Sequence, residues 1–400
     1  MLTNLSEGSF TPKEELENRI NQLRQNMEKQ GITFSIILQN VDLFYFAGTV
    51  QKGVLVVSVD HGPLLFIERN VDRAAIETGL EIIPIKRDKD VGDILMAKGM
   101  LKGKCGMELD VVPVSVFERW KSILGFNDFT DVWPAIRDLR IVKSPFEIEQ
   151  VKRSGSVCDH VFEKARDVVR EGISEVDIAA FLEAEGRKVG HQGFLRMRGL
   201  NQEMMNLYIT HGRSGTIPSS GDVPIAGAGV THAIAQGPSL NKVERGVPVV
   251  IDYGGGYNGY ITDETRAFVV GELKERFKKP FEVAKEIVED ATAFGKEGID
   301  GTELFNRAEA KAKKAGLNEY FMGFGPGKVS FVGHGLGLEI NELPVITPRH
   351  HIILQEGMVF AFEPKFIFPG EGAIGIEVDY IVRKDRLERV TRTPIDLVTL

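Results

Sequence analysis

The chain of 400 residues is long enough for two domains, because a single hydrophobic core seldom grows to that size. Its apolar (42%) and charged (26%) fractions are ordinary for a soluble globular protein, and a net charge of -8 disfavours nucleic-acid binding. No apolar run is long enough to span a membrane and no secretory signal pattern is visible, so a cytoplasmic location is expected. The two cysteines, Cys105 and Cys158, predict reduced, packed thiols.

The N-terminal third predicts a small α/β domain. Thr11-Pro12 begins a helical pattern, with Thr11 as the expected cap, and Gly31 ends it. Strand-like and helical stretches follow, at residues 34–38, 54–57, 64–67 and 71–78. The segment 139–148 marks a boundary, since Pro145 permits a new helix to begin there. We therefore predict domains over residues 1–140 and 141–400.

A weak internal repeat runs through the second domain. Arg170-Glu171-Gly172-Ile173 recurs as Lys296-Glu297-Gly298-Ile299, at a shift of 126 positions, and further matches follow at the same shift. Each copy reads as helix, glycine stop and helix, followed by an acidic hairpin. The second domain is thus predicted to consist of two related halves with a site where they meet.

Two hairpin-like stretches carry the acidic residues. Asp252 and Asp263 lie on either side of a Gly-rich turn, and Glu363 and Glu377 lie on either side of a second turn. Between these stretches, His334 is flanked by Gly333 and Gly335, where larger side chains would obstruct approach to it.

These five side chains together suggest a metal centre. Unpaired carboxylates beside strands that read as buried would be costly, and a cation removes that cost. Four carboxylates and one imidazole are a harder, more charged ligand set than a thiolate or single-zinc site, so we expect one or two divalent cations, and favour two.

With these motifs, residues 145–395 resemble the methionine aminopeptidase and prolidase superfamily, the M24 metallopeptidases. The segment before them resembles the N-terminal domain of creatinases, prolidases and Xaa-Pro aminopeptidases. The resemblance implies an α+β pita-bread catalytic domain with pseudo-twofold halves, preceded by a smaller α/β creatinase-like domain. It further implies two divalent ions of manganese, cobalt, zinc or iron, and a homodimer.

The resemblance also implies roles for individual residues. Asp252 and Asp263 would hold one metal, and His334 and Glu363 the other, with Asp263 and Glu377 spanning both. Glu363 would pass a proton to the leaving nitrogen. His232, located twenty residues before Asp252, would contact the substrate and stabilise the oxyanion. The implied reaction is cleavage of a peptide or dipeptide after its N-terminal residue, with proline next.

Three positions depart from the family pattern. Asn341 replaces a histidine that would contact substrate, Gly375 replaces an arginine two residues before the last ligand, and Ala267 replaces a threonine. An asparagine cannot shuttle a proton at neutral pH.

Because the substrate shell is altered, two alternatives stay open. One is a hydrolase of a non-peptide C–N bond on the same scaffold, similar to ectoine hydrolases. The other is a metal-binding or interaction homologue with weakened catalysis.

Overall fold

The computed structural model describes residues 9–219, 221 and 223–400. The chain divides into two compact units. The first contains the described residues up to Arg140 together with Arg198–Gln202, and the second contains Ile141–Met197 and Glu203–Leu400.

The first unit is a mixed sheet with helices. Its strands have the order β4-β3-β2-β1-β5-β6, in which β1–β2 and β2–β3 pair antiparallel and the other neighbours pair parallel. The strands are β1 Phe34–Ile37, β2 Gly53–Ser58, β3 Leu64–Ile67, β4 Ile82–Pro84, β5 Cys105–Met107 and β6 Phe129–Asp131. The helices are α1 Lys13–Lys29, α2 Asn40–Ala47, α3 Val71–Glu77, α4 Asp88–Ala97, α5 Val114–Leu124 and α6 Trp133–Arg140.

The first helix starts where the sequence predicts, but its cap differs. The hydroxyl of Thr11 is buried without a hydrogen-bond partner, and Pro12 is the residue that precedes the first turn. Leu16, Ile20 and Leu23 are buried along one face, as their helical spacing predicts.

The second unit places helices around three sheets. Its helices are α7 Pro145–Val168, α8 Glu175–Lys188, α9 Glu275–Phe294 and α10 Gly301–Lys314. Its strands are β7 Leu207–His211, β8 Val249–Tyr257, β9 Tyr260–Val269, β10 Gly333–Leu336, β11 Ile340–Ile346, β12 Val359–Phe362, β13 Lys365–Phe368, β14 Gly372–Gly375, β15 Val378–Val382, β16 Leu387–Arg389 and β17 Val398–Thr399. The sheets have the orders β17-β9-β8-β7, β11-β10-β12-β15-β16 and β13-β14, and short 3₁₀ turns lie at Gly212–Thr216 and Gly325–Gly327.

The helix pairs follow the repeat seen in the sequence. Helices α8 and α10 begin and end at positions 126 residues apart. The last residues of α7 and α9 are also 126 residues apart. The side chains of Ser174 and Asp300, again 126 residues apart, cap α8 and α10 by accepting backbone N–H bonds. Gly172 and Gly298 both have positive φ angles, which explains glycine at equivalent turns. The two halves are therefore related in structure as well as in sequence.

Helix α7 begins as the sequence predicts. The Ser144 hydroxyl accepts the Glu147 N–H, and the Glu147 carboxylate accepts the Ser144 N–H, so that the two residues form a capping box before Pro145. Among the described residues, we find no helix whose length and apolar character together would allow it to cross a bilayer.

Candidate metal centre

The first hairpin, β8–β9, brings two carboxylates to one face. Its register pairs Gly254 with Asp263 and Asp252 with Thr265. Residues paired across antiparallel strands share a face, and so do residues two apart on one strand. Asp252, Asp263 and Thr265 therefore lie on the same face of this hairpin.

The second sheet supplies the other three predicted side chains. His334 on β10 pairs with Ala361 on β12, and Ala361 pairs in turn with Asp379 on β15. Glu363 and Glu377 lie just beyond these paired segments, where β12 gives way to β13 and β14 gives way to β15. Two-residue alternation puts both glutamates on the face that carries His334.

The glycines beside His334 serve the packing of strands. A Cβ on Gly333 would lie 2.3 Å from the Ala361 carbonyl oxygen, and one on Gly335 would lie 2.3 Å from the Leu343 backbone. Glycine is thus required because strands β11 and β12 approach β10 closely. This replaces the sequence-based explanation that the glycines keep access to His334 open.

The predicted ligands converge around the His334 ring. One ligand atom each from Asp263, His334 and Glu377 lies within 4.8 Å of the other two. From His334 Nε2, the distances to Asp263 Oδ2, Glu363 Oε1 and Glu377 Oε1 are each 3.8 Å. All four side chains are buried.

This group of atoms fits one divalent cation. Ligands at about 2.1 Å from an ion in a tetrahedron would be about 3.4 Å apart, close to the 3.8 Å that separate His334 Nε2 from each of the three carboxylate oxygens. Glu377 Oε1 is buried without a hydrogen-bond partner, and a buried carboxylate oxygen in that state requires an explanation such as an ion. His334 Nδ1 lies 3.5 Å from the Gly335 carbonyl, which leaves Nε2 facing the carboxylates.

A lysine lies on the other side of the same carboxylates. Lys365 Nζ donates to Asp252 Oδ2 at 2.9 Å, Glu363 Oε2 at 2.8 Å and Glu377 Oε2 at 2.7 Å. Its side chain is only 2% exposed. The place where Asp252 would contribute to a second cation is therefore filled by an ammonium group.

The pKa values in the centre result from burial and from the charges of neighbouring groups. Burial by itself would lower the pKa of Lys365, but the surrounding carboxylates outweigh it and hold that pKa well above its usual value. Burial raises the pKa of Glu377 to about 7, although the Lys365 ammonium opposes the rise. Burial, together with the charges of Glu377 and Asp252, raises the pKa of Asp263 well above its usual value.

Neighbouring groups position Glu377. The Thr265 hydroxyl donates to Glu377 Oε2 at 2.8 Å, and the Arg266 guanidinium donates to the Glu377 backbone carbonyl at 2.7 Å. Arg266 also pairs with Glu264 at 2.8 Å in the interior. These contacts fix the glutamate from the β9 side.

The two predicted substrate residues differ in position. Asn341 lies on β11 with a φ of 66°, a left-handed conformation that asparagine tolerates, and it lines the small cavity at the carboxylates. His232 is exposed, lies in the turn between Thr231 and Ile234, and is not among the described residues that line this cavity. Its geometry does not support the role expected of it, which stays a prediction.

The cavity at the centre leads toward a larger one. The small cavity, about 20 Å³, shares Val223, Pro224 and Phe331 with a neighbouring cavity of about 750 Å³. The shared wall is apolar. A small apolar group could therefore lie next to the carboxylates, with room beyond it for the remainder of a larger molecule.

Sequence reasoning missed Lys365 and Thr265. Lys365 stands two residues after Glu363, at the head of the apolar run Phe366-Ile367-Phe368, so strand alternation places it on the ligand face. The available signal was a charged residue at the first position of a strand that reads as buried, next to a proposed ligand. For Thr265, two residues beyond Asp263, the same alternation was the signal.

Comparisons with known proteins match both parts of the chain. A family model described as metallopeptidase family M24 matches residues 149–384, and one described as the creatinase/prolidase N-terminal domain matches residues 19–142. A Xaa-Pro dipeptidase of Pyrococcus furiosus is 28% identical over 385 residues, covering 96% of this chain and 100% of that protein.

Solved structures show the same fold over nearly the whole chain. A Xaa-Pro dipeptidase from Bacillus anthracis has a TM-score of 0.81 at 26% identity and covers 96% of this chain and 100% of its own. The prolidase from Pyrococcus horikoshii has a TM-score of 0.79 at 26% identity and covers 95% and 100%. The fold predicted from the sequence, a pita-bread catalytic domain after a creatinase-like N-terminal domain, is confirmed.

Proposed function

Since this chain belongs to metallopeptidase family M24, we propose that it hydrolyses the bond after the N-terminal residue of a Xaa-Pro peptide or dipeptide, with the help of divalent metal. The observation that carries the proposal is the convergence of Asp263, His334 and Glu377 in a buried centre. The relatives named Xaa-Pro dipeptidase or prolidase cover nearly the whole of this chain, which supports the choice of substrate.

The centre proposed here uses the predicted set of Asp252, Asp263, His334, Glu363 and Glu377. When bound, a divalent cation supplies Lewis acidity, which polarises a carbonyl and lowers the pKa of water. The family implies divalent metal. Manganese, cobalt, zinc or iron are the proposed identities, and the presence of two ions is a prediction that Lys365 opposes.

The residues of the chain would divide the remaining work. Glu363 lines the cavity, with Oε1 at 3.8 Å from His334 Nε2, and would transfer a proton to a leaving nitrogen. The apolar wall of Val223, Pro224 and Phe331 suits a proline ring and excludes water from the reacting bond. Asn341 can donate to or accept from the peptide, but cannot carry the proton.

Three further features are proposed with this function. The predicted domain boundaries, residues 1–140 and 141–400, are compatible with the two compact units. The cytoplasmic location expected in the sequence analysis is carried forward as a proposal. A homodimer is proposed from the family resemblance alone.

Hydrolysis of Xaa-Pro dipeptides by the metal-loaded protein tests the proposal. We expect activity with added manganese or cobalt, and loss of at least about a hundredfold in His334→Ala, because removing a ligand removes the cation that polarises the bond. His61→Ala, at an exposed position in the first unit, is the matched control and should retain full activity. Tight metal binding without cleavage of any Xaa-Pro peptide would reject the peptidase.

One observation favours the second candidate, a metal-binding homologue with weakened catalysis. Lys365 neutralises carboxylates that a peptidase would use for a cation. Cleavage of Xaa-Pro substrates would exclude this candidate. Turnover of a small amide or cyclic amidine without peptide cleavage would instead support a non-peptide C–N hydrolase.

A further inference from the structure

We propose that the ammonium group of Lys365 takes the place of a second cation, so that this chain holds one divalent ion, beside His334, where the family resemblance predicts two. The inference deepens the proposed function and rests on it for the identity of the centre. Its test is the number of ions bound and does not require peptidase activity.

Lys365 is fully engaged as a cation. An ammonium group has three N–H donors, and Lys365 Nζ has three carboxylate acceptors, from Asp252, Glu363 and Glu377, all between 2.7 and 2.9 Å. Charge-assisted bonds of this length are strong, and the side chain is almost completely buried. Lys365 is therefore a structural part of the centre.

Two glutamates link the lysine to the remaining cation position. Glu363 and Glu377 each direct Oε2 to Lys365 Nζ and place Oε1 at 3.8 Å from His334 Nε2. Each glutamate therefore has one oxygen for each of two positive charges. One charge is the lysine, and the other is the position among Asp263, His334 and the two Oε1 atoms.

A second metal cannot share the lysine's position. A metal ion would need to approach carboxylate oxygens to about 2.0–2.2 Å, and the oxygens that would hold it already surround Nζ. The space left in the cavity, about 20 Å³, is room for about one water-sized species. Steric room thus allows one ion and the lysine.

The charges lead to the same conclusion. Asp252, Asp263, Glu363 and Glu377 carry four negative charges when ionised. Lys365 and one divalent ion leave a net charge of -1, whereas Lys365 and two divalent ions would crowd three cationic centres around the same carboxylates and leave +1. Placing like charges side by side away from water is strongly unfavourable.

The hairpin is built around this lysine. Lys365 pairs with Gly375 across β13–β14, and a Cβ at Gly375 would lie 2.6 Å from Lys365 Cγ and 2.8 Å from its Cα. The position where the sequence lacks the arginine expected from the family is therefore one that allows the lysine stem to pass.

The number of ions bound to the wild-type protein is the decisive measurement. Metal-free protein would be titrated with manganese by calorimetry, and the bound metal counted by elemental analysis after dialysis. The proposal expects one ion per chain. Two tightly bound ions per chain would overturn it, whether or not the protein cleaves peptides.

Substitutions of two ligands separate the models further. If Asp252 binds Lys365 and no metal, Asp252→Asn keeps one ion per chain, whereas Asp263→Asn lowers the affinity for it at least about tenfold. If there are two metals, Asp252→Asn reduces the count from two to one, and the proposal fails.

Removing the lysine should create the second position. Lys365→Met keeps an apolar stem but ends one atom short of Nζ, so it vacates the position among the carboxylates. In this variant we expect two ions per chain. The control is Lys328→Met, which removes an exposed lysine of the same unit and should leave the count at one. If folded Lys365→Met still binds only one ion, the lysine does not exclude the second ion. Should this variant not fold, the wild-type count and the Asp252→Asn count still decide.

The two proposals fail in different ways. Absence of Xaa-Pro cleavage with one bound ion rejects the peptidase and leaves the role of Lys365 intact. Xaa-Pro cleavage with two bound ions keeps the peptidase and rejects the role of Lys365.

Discussion

His191 and His211 are both buried, and each ring donates one hydrogen bond to the backbone and accepts another from it. His191 donates from Nε2 to the Gly254 carbonyl at 3.0 Å and accepts the Gly193 N–H on Nδ1 at 2.9 Å. His211 donates from Nδ1 to the Pro248 carbonyl at 3.1 Å and accepts the N–H of the following loop on Nε2 at 2.9 Å. His211 is the last residue of β7 and is only 3% exposed.

These two rings predict a loss of stability in mild acid. Burial lowers both pKa values below the usual 6.5, so the unfolded chain takes up protons that the folded chain refuses. The free energy of unfolding should therefore fall as the pH drops through about 6.5, by about 1.4 kcal/mol for each pKa unit of depression. Urea unfolding of metal-free protein between pH 8 and 5 measures this loss.

A double variant, His191→Gln with His211→Gln, removes both titrating rings. Its free energy of unfolding should decrease less between pH 8 and 5 than that of the wild type, whereas His61→Gln, at an exposed position, should follow the wild type. A double variant with an unchanged pH dependence would contradict the assignment.

At the residue scale, the sequence predicts the acidic ligands better than their surroundings. Asp263 and Glu377 could be identified because each flanks a turn at a defined spacing, which survives any change in packing. For Lys365 the alternation signal was available, but its bond to Asp252, 113 residues away, depends on packing that the sequence does not show. For His232, spacing along a loop does not determine where the side chain lies, so its contact with the substrate stays a prediction.

At the scale of elements, the β13–β14 hairpin depends on Gly375. A methyl group there would meet the Lys365 stem and also the Pro364 carbonyl oxygen at 2.8 Å, so the strands would have to separate. We expect Gly375→Ala to destabilise the protein by about 1–3 kcal/mol, the usual cost of overpacking. It should also weaken metal binding by shifting Glu377.

Thermal unfolding and metal titration of the same variant check both effects. Gly370→Ala is a control at the tip of the hairpin, where a Cβ would meet nothing within 4 Å and only the positive φ of 75° adds cost. It should leave metal affinity unchanged. Equal metal affinities for Gly375→Ala and the wild type would contradict the dependence of the centre on this strand pair.

The repeat illustrates what can be read from sequence at this scale. Helices α8 and α10 have matching bounds because their caps, glycine stops and apolar spacing are local signals, and local signals are visible in a sequence. The division of the second acidic stretch into β12, β13, β14 and β15 was not visible. Pairing of β12 with β15 and of β13 with β14 involves separate sheets, which depend on contacts far apart in the chain.

At the scale of the whole molecule, each compact unit contains one buried free cysteine. Cys105 lies on β5 in the first unit and Cys158 lies on α7 in the second. Burial raises the pKa of both thiols well above its usual value, so neither should react in the folded protein. The prediction of reduced, packed thiols is borne out for both.

These thiols allow the stability of each unit to be followed separately. A cation bound in the second unit stabilises the state that binds it, so added manganese should slow the labelling of Cys158 in moderate urea. Labelling of Cys105, measured in the same sample by mass spectrometry of peptides, should slow less. If manganese does not slow Cys158 labelling, the metal centre does not lie in the second unit.

The most direct test of the metal centre is an anomalous difference map from a crystal grown with manganese. We expect one peak per chain, in contact with Asp263, His334, Glu363 and Glu377, with Lys365 Nζ still bonded to Asp252. A second peak at the lysine's position, or no peak among these residues, would contradict it.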